Sequence, residues 1–176
     1  MIGKKTHQLM NEQIKHEVES AYLYWSMEAY FRAQNLDGMA TWMRVQTQEE
    51  LVHAMKFFEH LSDRGVQVEL LPLAIHKINW KSPLEAFKDA YKHEQFITSK
   101  INNLMKTARD ENDHASAVLT QWFVNEQVEE EANASKIAHT LERAGDSGSA
   151  LILIDRELGT RVFTMPGVAD PGAAGA

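Results

Sequence analysis

The chain has 176 residues, no Cys, four Pro, nine Gly and a formal net charge of −7. That length suits one domain with a sizeable core. Without Cys there is no disulfide scaffold, no thiolate-held zinc or iron–sulfur site and no thiol nucleophile, so any metal must rest on His, Asp, Glu or similar donors.

The first element, α1, is expected over residues 4–34, before the turn Asn35-Leu36-Asp37-Gly38. The second, α2, follows over 37–64 and is stopped by Gly65 at C′. No Pro precedes Pro72 and no Gly lies between Gly65 and Gly145, which favours long uninterrupted helices. Ser82-Pro83-Leu84-Glu85 starts α3, with Ser82 as cap, Pro83 at N1 and Glu85 completing a capping box. That helix runs to about Arg109. After the turn Asp110–Asp113, with Asp113 as cap, α4 continues to Ala144 and ends at Gly145. A shorter apolar stretch from Ser149 to Leu158 gives α5, before Gly159. Residues 1–161 form the domain, and 162–176 a Gly/Ala/Pro-rich tail, disordered from Pro166 onward.

The connection over residues 66–81 sets the topology. Helices of this length extend about 42 Å, and about 16 extended residues reach about 53 Å. The segment can therefore traverse the molecule and start α3 level with the start of α2. The other two turns are too short for that, so their helices are antiparallel. The expected fold is all-α, a four-helix bundle with one long crossover and a short fifth helix.

Reading the core face at 3–4 spacing exposes a conflict. The apolar stripes carry Glu17 on α1, Glu50 and His53 on α2, Glu94 on α3, and Gln127 and Glu130 on α4. All fall near mid-helix, hence at one level of the bundle. Buried ionised carboxylates are costly unless cations compensate them. Four carboxylates with one imidazole suit two divalent ions such as iron or manganese. Glu49, Glu126 and Glu129 lie one step around their helices and offer a neighbouring, more exposed cation site. Glu28 also falls on the stripe of α1 and is read as a helix-end exception. Glu131 is read as solvated, the other seven His as outside any site, and the four Trp as packing or interface residues.

With these residues in view, the sequence resembles the bacterial non-haem ferritins over about residues 4–160. The resemblance rests on N-E-Q-x3-E at Asn11–Glu17, Tyr24, Q-E-E-x2-H at Gln48–His53, Y-K-H-E-Q at Tyr91–Gln95 and E-Q-x-E-E-E at Glu126–Glu131. It implies iron storage with a ferroxidase centre. Glu17, Glu50 and His53 would hold the first iron, Glu50 would bridge, Glu94 and Glu130 would hold the second, and Gln127 and Tyr24 would adjoin them. Glu49, Glu126, Glu129 and Glu130 would form a third iron site. The implied substrates are Fe(II) and O2 or H2O2, and the implied assembly is a 24-subunit octahedral shell with α5 at the fourfold contacts.

The second copy of the di-iron pattern is Gln127-x-x-Glu130 rather than Glu-x-x-His, which disfavours bacterioferritins and di-iron oxygenases. Leu51 stands where haem-binding relatives place Met, so no haem is expected. The acidic balance argues against a nucleic-acid partner. No apolar run of membrane-spanning length occurs, and the N-terminus lacks an apolar signal region, so a cytoplasmic location is expected.

Overall fold

The computed structural model describes residues 2–74 and 77–165. Its helices are α1 (Lys4–Ala33), α2 (Asp37–Asp63), α3 (Pro83–Asp110), α4 (His114–Ala144) and α5 (Gly148–Leu158), and no strand occurs among the described residues. The expected all-α bundle with a fifth helix is present, its boundaries met within one residue. The tail expected from Pro166 lies outside the described residues.

Each of the four long helices ends on a residue of positive φ: Gly65 at 69°, Gly145 at 53°, Asn35 at 56° and Asn112 at 55°. After Asn35, Gly65 and Asn112 the next amide reaches back to a free carbonyl, as Leu36 N to Phe31 O at 3.0 Å and Asp113 N to Ala108 O at 2.8 Å. Asn is among the few side chains that tolerate this backbone. Gly38, the last residue of the expected turn and already within the expected α2, lies in the first turn of that helix. A Cβ there would sit 1.6 Å from the Asp155 carbonyl oxygen. The missing side chain lets α5 press against α2, where Met39 N donates to the Asp155 carboxylate at 2.9 Å.

Ser82 accepts from Glu85 N at 3.1 Å, as a cap should. The reciprocal bond differs from the expected box: the Glu85 carboxylate takes the Lys81 amide at 2.6 Å. Asp113 caps α4 through Ser116 N at 3.2 Å. At the other end of α1, Glu111 accepts from Thr6 N at 2.9 Å, so the end of α3 caps the start of α1.

The crossover climbs α1 in register. His7 Nε2 donates to Gln67 O at 2.8 Å, Glu69 N to Asn11 Oδ1 at 2.9 Å, and Ala74 N to Glu19 Oε1 at 2.7 Å. Buried Trp80 then donates to Asp89 on α3 at 3.0 Å. Consequently α2 and α3 run one way, α1 and α4 the other. The core has two apolar halves. One gathers Tyr24, Met27, Phe31, Met43 and Phe87; the other gathers Met10, Ile14, Phe57, Ile101 and Phe123. The polar mid-helix residues fall between them. Among the described residues no helix is long and apolar enough to cross a membrane.

Candidate metal centre

Helical periodicity builds this polar waist. Glu50 and His53, like Gln127 and Glu130, are three residues apart and share one helix face. Glu17 and Glu94 arrive from α1 and α3. All six side chains belong to residues no more than 5 % exposed.

Glu17, Glu50 and His53 each offer one ligand atom, and these atoms lie within 4.8 Å of one another. His53 Nδ1 stands 3.4 Å from Glu50 Oε2. Glu17 Oε1 accepts from Gln13 Nε2 at 2.9 Å. Its other oxygen, Oε2, and His53 Nε2 are buried without any hydrogen-bond partner. Buried polar atoms are rarely left so, and these two belong to one ligand cluster. Trp122, expected only as packing, stands edge-on to the His53 ring with centroids 5.6 Å apart.

Glu94 and Glu130 complete the waist from α3 and α4. Tyr24 donates its hydroxyl to Glu94, and Gln127 Nε2 donates to the other Glu94 oxygen at 3.1 Å. Glu130 accepts from Gln46 Nε2 at 2.9 Å. Gln13 and Gln46 are additions to the site reading. Their signal was present, since Gln46 lies on the core stripe of α2 and Gln13 one turn before Glu17.

The electrostatics are unbalanced. Burial, reinforced by Glu50, pushes the Glu17 carboxyl up to about 8. Burial and Glu94 push Glu130 up to about 7. Burial raises Glu50 well above the usual carboxylate range, with Glu94 and Glu130 adding to it. Burial also raises Glu94, opposed by the hydrogen bonds from Tyr24 and Gln127. Burial and the Glu94 charge raise the Tyr24 phenol, which keeps it a donor. None of these four carboxylates has a Lys or Arg ion pair among the described residues. Such a set holds protons or a cation; leaving it ionised and unpaired is strongly unfavourable. Oxygen-rich donors with one imidazole fit iron or manganese.

The outer acidic residues are arranged differently. Glu49 is buried, Glu126 is half-buried and Glu129 is exposed. Among the described residues they join no group of three within 4.8 Å. Glu49 instead pairs with Arg161 Nη2 at 2.5 Å, a residue that carried no expected role. Burial nonetheless raises the Glu49 carboxyl to about 7 against the Arg161 charge, and burial also raises Glu126. Glu28, the apparent exception on α1, is buried and held by Arg44 at 2.6 Å and Arg32 at 3.3 Å. Glu131 is half-buried and accepts from Thr98 at 2.6 Å, so it is not simply a solvated charge.

A family model described as a ferritin-like domain matches residues 7–144. A bacterial non-heme ferritin of Staphylococcus aureus is 37 % identical over 163 residues, 93 % of this chain and 98 % of that protein. A bacterial non-heme ferritin of Bacteroides fragilis is also 37 % identical, over 92 % of this chain and all of that protein. Among solved structures, an open-pore ferritin from the archaeon Archaeoglobus fulgidus superposes with a TM-score of 0.91 at 44 % identity, covering 92 % of this chain and all of that one. A form of that ferritin engineered to be closed gives 0.91 at 45 % identity, covering 93 % of this chain and all of that one.

Proposed function

Because the chain belongs to the ferritin family, we propose that it stores iron and oxidises Fe(II) to Fe(III) at the polar waist. Glu17, Glu50 and His53 bind the first ferrous ion and Glu50 bridges to the second. Glu94 and Glu130 bind the second, with Gln127 beside them. Two ferrous ions supply the two electrons that reduce O2 to peroxide, or peroxide to water. The chain's own contribution is placement: two metals held about 3.5–4 Å apart react as a pair. Tyr24 and Gln127 fix the Glu94 carboxylate, and Gln13 and Gln46 fix Glu17 and Glu130. Glu49, Glu126 and Glu129, with Glu130, form a third, outer iron site.

The observation that carries this reading is the Glu17–Glu50–His53 cluster, buried between two apolar cores with an oxygen and a nitrogen left unpartnered. Storage of a mineral requires a shell, for which we take 24 subunits. In support, α5 leaves Ile152 and Leu153 exposed, and Tyr22 and Trp25 stand exposed on α1. Leu51 offers no haem ligand after Glu50, and the proposed location is the cytoplasm.

Stopped-flow absorbance after Fe(II) addition in air tests the assignment. The parent protein should oxidise iron at least about a hundredfold faster than Glu17→Ala/Glu50→Ala. Equal rates would remove the enzymatic part of the proposal. Size-exclusion chromatography should give a large shell; a discrete dimer would instead favour a small-molecule di-iron oxygenase.

A further inference from the structure

One charged side chain enters the outer edge of the waist from a segment that no core pattern predicts. Arg161 lies just beyond α5. Its Nη2 stands 2.5 Å from Glu49 Oε2, and its guanidinium carbon lies 4.6 Å from the centre of the Trp42 ring. Its delivery is fixed by packing: Gly159 is pressed against Gly38 so closely that a Cβ there would meet the Gly38 Cα at 3.1 Å. Yet the grip is incomplete. Nη1 is buried and has no hydrogen-bond partner.

Beside the guanidinium lies a cavity of about 240 Å3, lined by Trp42, Asn133, Lys136, Glu157 and Arg161 itself. It gives the side chain somewhere to go, between the lining residues Glu157 and Lys136. An arginine keeps its charge at any ordinary pH. It therefore cannot vacate Glu49 by losing a proton; it must move.

We infer that Arg161 is a resident cation of the outer acidic site, occupying the Glu49 carboxylate so that a divalent ion binds there only by displacing the guanidinium toward the cavity. The inference rests on the proposed reading of the waist as a metal centre. It assigns Arg161 the role of setting the affinity of Glu49, Glu126 and Glu129 for a third ion, apart from the two inner positions. The attraction is electrostatic at short range in a partly buried setting, where removing one charge leaves its partner strongly available. A divalent ion brings more charge to the acidic cluster than the guanidinium does. Displacement is therefore favoured once the ion reaches a sufficient concentration.

Isothermal titration of the assembled protein with Zn(II), a redox-inert probe, tests this. The parent should bind two ions tightly per subunit and a third more weakly. Arg161→Ala and Arg161→Gln should tighten the third ion about tenfold or more and leave the first ion, at Glu17, Glu50 and His53, unchanged, with a smaller gain at the second, whose ligand Glu130 feels the Arg161 charge. Arg161→Lys, which keeps the charge but loses the planar fork, should tighten it less. Adding Glu49→Gln to Arg161→Gln should abolish the gain. If the Ala variant fails to assemble, the Gln variant carries the comparison. Third-ion affinity unchanged in Arg161→Gln would overturn the inference while leaving the inner site intact. Absence of the two tight ions in the parent would overturn the metal-centre reading itself.

Discussion

Glu17 and Glu28 lie on the same helix, both are buried, and both face the bundle, but their surroundings differ. Glu28 is held by Arg44 and Arg32. Glu17 has only the Gln13 amide and an unpartnered oxygen. At Glu28 the fold supplies its own cation, and the carboxylate is structural. At Glu17, and likewise at Glu50 and Glu94, no Lys or Arg ion pair is supplied among the described residues, and these are the carboxylates to which the proposed function assigns iron. Glu49 is intermediate, compensated by an arginine whose own donors are only partly used. Burial of a carboxylate is therefore a poor guide to function; the presence or absence of a built-in counter-ion separates the cases.

The largest effects should come from removing the uncompensated charge. Glu50→Gln should lose tight Zn(II) binding by orders of magnitude, since the proposed bridging ligand is gone. The same change should raise the melting temperature of the metal-free protein near pH 7, because folding no longer has to hold a proton on a buried carboxyl that ionises freely in the unfolded chain. A metal-free protein made less stable by Glu50→Gln would break the contrast with Glu28.

The pH dependence follows from the same imbalance. Here the carboxyl values are raised on folding, with Glu17 up to about 8 and Glu130 up to about 7 against 4.5 for an ordinary glutamate. The folded state then binds more protons than the unfolded state between these limits, so stability falls as pH rises from about 4.5 to about 8. The waist should thus make metal-free protein more stable near pH 5.5 than near pH 8, with the difference diminished in Glu17→Gln/Glu130→Gln. Metal binding reverses the preference, and at pH 7 Zn(II) uptake should release about two protons per subunit. Titration in buffers of different ionisation enthalpy measures that number, and release near zero would contradict it.

At the compensated site the effect should be smaller and of another kind. Arg44→Ala should cost about 1–2 kcal/mol in stability, a value held down by the exposure of Arg44 and by the remaining Arg32. Zn(II) stoichiometry should not change. Tyr24→Phe should have the mildest effect, weakening the second ion about tenfold by freeing Glu94 without removing a ligand.

Much of this arrangement was legible in the chain. The placement of Gly65, Pro83 and Gly145 marked the helix ends. The 3–4 stripes placed Glu17, Glu50, His53, Glu94, Gln127 and Glu130 on the buried face because a helix face is fixed by period alone. What periodicity does not encode is the rotation of one helix against its neighbour. That hid the pairing of Glu28 with Arg44 and the donation from Gln46 to Glu130. Arg161 follows Gly159, outside every periodic segment, so its approach to Glu49 left no pattern. The left-handed Asn35 and Asn112 were similarly masked, since glycine is the stronger signal and Gly38 stood nearby.

The central claim is that the uncompensated waist is a metal centre. Diffraction from Fe(II)-soaked crystals, with anomalous data collected across the iron edge, tests it most directly. The account predicts iron density within bonding distance of Glu17, Glu50 and His53 and a second peak toward Glu94 and Glu130, with none at Glu28. A waist without anomalous density, in crystals whose surface sites have taken up iron, would contradict it.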